Sequence, residues 1–179
     1  GSSMAFCGLA AALVLRSHLP IGLAVIAALA AGTVVGWING TIVTRLRINP
    51  FITTLGMMSI LRGVVQVITR SAPPTGFPPG FLRIAWGTVF TTHLPWGPLE
   101  VRFPVVLLIA AMIAGDFLLR RLAFLRQVYF VGSNEEAARL TGIPTAWVKT
   151  FAFMLTGFLA GLTGVIVTSR VNAIDANAG

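Results

Sequence analysis

The feature that most constrains this chain is an uninterrupted run of 23 uncharged, mostly apolar residues at positions 21–43. As an α-helix rising about 1.5 Å per residue it would be roughly 35 Å long, enough to cross a hydrocarbon core of about 30 Å with some tilt. A helix that is apolar all round has no face to turn toward water, so the run calls for a bilayer. Residues 103–119, with Asp116 near their end as the only charge, and residues 151–168, with none, have the same character. Residues 4–15 supply most of a further helix. Residues 51–69 contain Arg62 and Gln66 and read as a span with one side turned to protein or water. The expected fold is all-α: a polytopic transmembrane helix bundle of about five spans, forming one domain over residues 1–179.

Composition carries the same message. Of the 179 residues 56% are hydrophobic and only 10% charged, where a soluble domain is about one quarter charged; the mean hydropathy is +0.88. The basic excess, 13 Lys and Arg against 5 Asp and Glu, is spread between apolar runs. It forms no continuous stripe for phosphate, so no nucleic-acid partner is expected. Cys7 is the single cysteine, which leaves no disulfide or cysteine-built zinc site within one chain. His18 and His93 fall in links and stand at no metal-ligand spacing with Asp or Glu, and no phosphate-cradling glycine loop is present. No catalytic residue, metal or cofactor is therefore expected, and the chain does not read as an enzyme.

Orientation follows the placement of Arg and Lys. Arg45 and Arg47 after the second run, and Arg120, Arg121, Arg126, Arg139 and Lys149 in segment 120–149, are placed in the cytoplasm; Arg16, Arg70, Arg83, Arg102 and Arg170 fall on the other side. The outer segment 70–102 holds Pro73, Pro74, Pro78, Pro79, Pro95 and Pro98 with Trp86 and Trp96. It is expected to be irregular or interfacial, with its tryptophans at headgroup depth. No charged, cleavable signal peptide precedes the first apolar run.

Gly32, Gly36 and Gly40 recur every four residues, and Gly157, Gly161 and Gly164 do nearly the same in the last run. Bare backbone on one helix face lets another helix come close. The second row is expected to meet spans outside this stretch of sequence. Asn39 reads first as an interhelical hydrogen-bonding group, with a pathway ligand as the alternative; the Asn39-Gly40-Thr41 sequon has no meaning inside a span. Ser59, Arg62, Gln66 and Arg70 share one helix face by their spacing. They are either a wet vestibule face or part of a substrate pathway. Asp116 precedes Arg120 by four residues and is expected to pair with it.

The most informative segment runs Gly132-Ser133-Asn134-Glu135-Glu136-Ala137-Ala138-Arg139-Leu140-Thr141-Gly142-Ile143-Pro144. Ser133 with Glu136 makes a capping box, the acids suit a helix start, and Gly142 suits the left-handed position past its end before Pro144. A helix of about eight residues is expected inside a cytoplasmic loop. Too short to be stable alone, it is either a surface element or a docking element whose small Ala137-Ala138 face fits a partner's groove.

At this segment the sequence resembles a known family. Gly132, Asn134, Ala137, Ala138, Gly142 and Ile143 are similar, in order and spacing, to the cytoplasmic coupling loop of ribose-type (monosaccharide) permeases of ABC importers. The block Asn49-Pro50-Phe51-Ile52, Thr54-Leu55-Gly56, Met58-Ser59-Ile60 and Arg62-Gly63 is similar too, as are Leu118-Leu119-Arg120-Arg121, Val128-Tyr129, Val131-Gly132 and the late Gly157, Ala160-Gly161-Leu162, Gly164 and Ser169-Arg170. Even Gly1-Ser2-Ser3-Met4-Ala5 looks like native family sequence, and the chain looks like an internal fragment of the family's length.

The resemblance implies a transmembrane subunit of an ATP-driven sugar importer in the cell (inner or plasma) membrane. Its implied partners are a second permease subunit, a cytoplasmic ATP-binding subunit, an extracytoplasmic sugar-binding protein and the lipid bilayer. Ser133, Asn134, Glu135, Glu136, Ala137, Ala138 and Gly142 would couple to the ATPase, while Asn39, Ser59, Arg62 and Gln66 are candidates to line the pathway. Hydrolysis would belong to the partner. Two other classes are an ion-gradient-driven secondary transporter, for which Asp116 is the sole intramembrane acid, and a structural subunit with no pathway.

Overall fold

The computed structural model describes residues 1–17, 19–69, 75–94 and 97–171. In chain order these form α1 (Ser2–Arg16), α2 (Ile21–Arg45), α3 (Pro50–Thr69), α4 (Pro79–Trp86), β1 (Thr88–Leu94), β2 (Gly97–Arg102), α5 (Phe103–Arg121), α6 (Ala123–Ser133), α7 (Glu135–Leu140) and α8 (Thr145–Val171). Among the described residues α2, α3, α5 and α8 are long and apolar enough to cross a membrane, and α1 is a shorter apolar helix. The expected bundle of about five spans agrees with these four and α1 together. Its longest member, α8, has 27 residues, or roughly 40 Å. The helix opens well before position 151, because Lys149 is paired with Glu135 at 2.5 Å and does not interrupt it.

Three helices, α1, α2 and α8, make the packed centre. The two glycine rows meet each other across the α2–α8 contact. A methyl group at Gly32 would overlap the Gly157 carbonyl, one at Gly36 the Phe153 carbonyl, and one at Gly40 would stand 2.7 Å from the Thr150 Cα. Gly161 faces the Ala28 carbonyl at 2.7 Å, while Gly164 faces the Met4 carbonyl of α1 at 2.6 Å, each measured from the position a Cβ would take. This corrects the expectation that the second row meets spans outside the chain. Each row announces close approach, and here each satisfies the other, so the helices touch backbone to backbone. Cys7, Leu9, Ala11 and Ala12 of α1 are fully or almost fully buried beside this seam.

The periphery is different. None of α5 is buried, and in α3 only Thr53, Leu61 and Val65 are. Apolar helices with so little internal cover turn their surfaces to lipid or to other protein. Asp116 and Arg120 of α5 form the expected exposed ion pair at 2.8 Å.

The described part of segment 70–102 is more regular than expected. Helix α4 begins with Pro79 in its first turn, where a fixed φ and a missing N–H cost nothing. The following Thr88-Val89-Phe90-Thr91-Thr92, rich in β-branched residues, enters an antiparallel hairpin with β2, irregular between Thr88 and Phe90. Helix α4 is tied down: Phe81 is fully buried, and Trp86 donates from Nε1 to the Arg170 carbonyl at 3.2 Å while the Arg102 guanidinium lies over its ring. Arg70, Pro73, Pro74, Pro95, Trp96 and His18 lie outside the described residues.

Segment 120–149 likewise contains a helix that the sequence does not announce, α6. Leu122 adopts an extended backbone that ends α5, and α6 restarts immediately with Leu125 and Val131 buried.

Candidate functional site

Helix α7 is a short element held at both ends. Asn134, in extended conformation, is its N-cap, and its Oδ1 accepts from the Ala137 N–H at 3.0 Å. The cap expected at Ser133 therefore moves one residue on, and the helix has six residues rather than about eight. The reason is that α6 runs through Ser133, whose hydroxyl lies against the Tyr129 and Phe130 carbonyls of its own last turn. At the other end Gly142 has φ +83°. Its N–H donates to the Arg139 carbonyl and that of Ile143 to the Ala138 carbonyl, both at 3.1 Å. This is a Schellman ending, which satisfies carbonyls that the helix leaves unpaired.

The two alanines part company. Ala138 is 4% exposed and packs with Val131 of α6 and Val148 of α8, flanked by Val128 and Ile143. Ala137, about 100° away around the helix, is exposed with Glu136 and Arg139, and Leu140 is 85% exposed. A cavity of about 370 Å³ opens beside α7 between Phe130, Asn134, Ala137 and Thr141. Ala138 thus fixes α7 to the bundle, and the outward face consists of Glu136, Ala137 and Leu140. The Glu135–Lys149 ion pair adds a second tie between α7 and α8. Opposite it, across a polar cavity of about 580 Å³, stand Arg47 and Asn49 of the α2–α3 link. The Asn49 Oδ1 accepts from the Phe51 N–H at 2.9 Å and caps the start of α3.

The pathway candidates do not come together. Asn39 is 8% exposed, and its Oδ1 has no hydrogen-bond partner among the described residues. It lines a cavity of about 310 Å³ between the start of α1 and helices α2, α3 and α8, with Ser2, Gly36, Thr54, Met58, Phe153 and Thr156. Ser59 and Gln66 are exposed on α3, and Arg62 is half-buried with its Nε enclosed and unpaired; none of the three lines that cavity. The spacing places them on one face, yet α3 turns Thr54, Leu55 and Met58 toward Asn39 instead. Thr54, Thr156 and Phe153 are the cavity residues that the sequence does not single out. Thr and Phe are ordinary inside a span, and the only hint was Thr54 within the family-like block. Among the described residues no three His, Cys, Asp or Glu side chains gather where a metal could be held.

These features define a class: a multi-pass helical protein of the cell membrane, with a close-packed glycine seam, a largely apolar cavity around Asn39 and a capped helix projecting at one end. The chain belongs to the family of branched-chain amino acid transport system / permease components, whose pattern matches residues 1–179. It is 35% identical over 183 residues to the ribose import permease protein RbsC of Haemophilus influenzae, covering 100% of this chain and 54% of the relative. It is 30% identical over 174 residues to the L-arabinose ABC transporter permease protein AraH of Azospirillum brasilense (97% and 49% covered). It is 31% identical over 179 residues to the autoinducer 2 import system permease protein LsrC of Yersinia enterocolitica (100% and 47% covered). The chain spans about half the length of the curated relatives it matches. These relatives are transporter permease proteins and not enzymes. No solved structure gives a significant match.

Proposed function

We propose that this chain is part of the transmembrane subunit of an ATP-driven importer of a ribose-type monosaccharide, and that α7 docks on a cytoplasmic ATP-binding subunit. The observation that carries the reading is the construction of α7: capped by Asn134, closed by Gly142, clamped inward through Ala138, with Leu140 left 85% exposed. A large apolar side chain so fully presented on a braced helix suits a partner's groove. The excess of Arg and Lys in the α2–α3 link and in segment 120–149 supports a cytoplasmic position for this end. A second permease subunit completes the pathway, and an extracytoplasmic binding protein delivers sugar at the α4 end.

The cavity at Asn39 suits a neutral polyol. Its lining includes the Asn39 amide and the side chains of Ser2, Ser3, Thr54 and Thr156, and no acidic or basic side chain. Coupling to an ion gradient, the other mechanism weighed from the sequence, has little to work with, since Asp116 is exposed and already paired with Arg120.

Leu140→Asp, made in the permease as the cell produces it, tests the docking. The side chain touches little within the chain, so membrane accumulation should be unchanged. Burying an unpaired carboxylate in an apolar groove costs about 1–3 kcal/mol or more, so association with the ATPase should fall about tenfold or further. Co-purification and sugar uptake read the outcome; wild-type values for both would overturn the assignment of α7.

A further inference from the structure

Ser169 lies two residues before the end of α8 and is 0% exposed. Its hydroxyl donates to the Phe81 carbonyl at 2.7 Å and accepts from the Ala85 N–H at 3.2 Å. These two backbone groups, four residues apart, are the pair that ordinarily closes one turn of helix. The serine from α8 is therefore inserted into the backbone bonding of α4. Close by, the Trp86 indole N–H donates to the Arg170 carbonyl at 3.2 Å, and Phe81 is sunk in the main core cluster with Leu9 and Val165. Helix α4 is held by α8 through the two buried hydrogen bonds of the Ser169 hydroxyl, shielded from water, an exposed one from Trp86, and the buried Phe81 ring.

At its other end α8 holds α7 through the Ala138–Val148 packing, the Glu135–Lys149 pair and the turn from Gly142 through Pro144, whose carbonyl accepts from the Val148 N–H. Between the two attachments α8 is one continuous helix locked to α2 by the glycine seam. Seams of backbone against backbone leave no side chain to absorb a shift, so α2 and α8 displace together.

We infer that Ser169 is a positioning residue that makes α4 move with α8, so that a displacement begun at α7 reaches the opposite membrane face through a single rigid body. This rests on the proposed docking of α7 to an ATPase. What the juxtaposition adds is the output: α4, with its exposed Arg83 and Trp86, is the surface whose position changes with the nucleotide state.

The test uses the natural permease reconstituted with its ATPase in liposomes. A cysteine introduced by Arg83→Cys is labelled with an impermeant thiol reagent, and Cys7, being buried, does not compete. With Ser169 intact, the labelling rate should change at least threefold between nucleotide-free and ATP-bound states. In Ser169→Ala the protein should accumulate and bind its ATPase normally, while this nucleotide dependence disappears and uptake falls at least threefold. Ser169→Thr, which keeps the hydroxyl, should restore both, and Trp86→Phe, which removes the neighbouring bond, should weaken both. A purely structural serine would lower accumulation and association together and leave the nucleotide dependence of whatever folds unchanged. Ser169→Ala with wild-type nucleotide dependence overturns the inference while docking stands. If the Ser169-containing permease binds no ATPase at all, the docking reading falls and this one falls with it.

Discussion

Gly157→Ala is the sharpest probe of the fold, because the same chemical change has opposite signs at different glycines. A Cβ at position 157 would overlap the Gly32 carbonyl oxygen and stand 2.9 Å from its carbon and 3.1 Å from the Gly36 nitrogen. All three are backbone atoms of one helix, so no rotamer change relieves the overlap and α2 must back away from α8. Overpacking of this kind typically costs about 1–3 kcal/mol, set against the roughly 1 kcal/mol by which alanine is the better helix former. The net expectation is a loss of up to about 2 kcal/mol, these two terms combined. At Gly161 the nearest atom is 2.7 Å away and the loss should be smaller. At Gly115, in the middle of α5, a Cβ meets nothing within 4 Å, so Gly115→Ala should stabilise by about 0.5–1 kcal/mol. Unfolding of the purified protein by increasing sodium dodecyl sulfate in mixed micelles, followed by helical circular dichroism, ranks the three. If Gly157→Ala unfolds no earlier than Gly115→Ala, the two glycine rows do not face one another.

Two further outcomes follow from the same geometry. On the proposed orientation, with Cys7→Ala as background, Thr75→Cys should react with an impermeant thiol reagent applied outside intact cells and Ser133→Cys should not; equal labelling would reverse or break the topology. Asn39→Ala should leave stability within about 1 kcal/mol of wild type, because the buried Oδ1 accepts no hydrogen bond to lose, yet sugar uptake should drop at least severalfold; unaltered uptake would reduce Asn39 to a packing residue.

What the sequence made legible divides along a physical line. The spans could be read because membrane helices need long uncharged runs, and the glycine rows because small residues at a spacing of four share a face. The partner of each row was hidden, since a glycine records that something comes close and not what it is. Segment 132–144 shows the same limit. Ser133 and Asn134 are both good caps, and the choice fell to Asn134 only because α6, for which no Gly or Pro gives a signal, extends through Ser133. Ala138 looked like a contact face until α6 and α8 closed over it. Periodicity put Ser59, Arg62 and Gln66 on one side of α3, but it is the packing of Thr53, Leu61 and Val65 that decides which side turns inward. Ser169 stood out only as part of the family-like Ser169-Arg170: by its physics a serine near a helix end is unremarkable until a second helix supplies it with a carbonyl and an N–H.

The glycine seam and the candidate pathway are built from the same residues, and this bears on how access could alternate. Gly36 of α2 and Gly157 of α8, which let the two helices touch, also line the cavity that holds Asn39. Two of its walls therefore belong to the α2–α8 body that carries α7 at one end and α4 at the other, and Gly1, Ser2 and Ser3 at the start of α1 line it beside them. A third wall, Thr54, Leu55, Met57 and Met58, belongs to α3, a helix with three buried residues of its 20. Interfaces with few interdigitated side chains yield before those where backbones are locked together. A push on α7 would thus leave the seam intact and shift the cavity's α2–α8 wall past α3. The cavity would open or close along α3 while Asn39 stays fixed in its own helix.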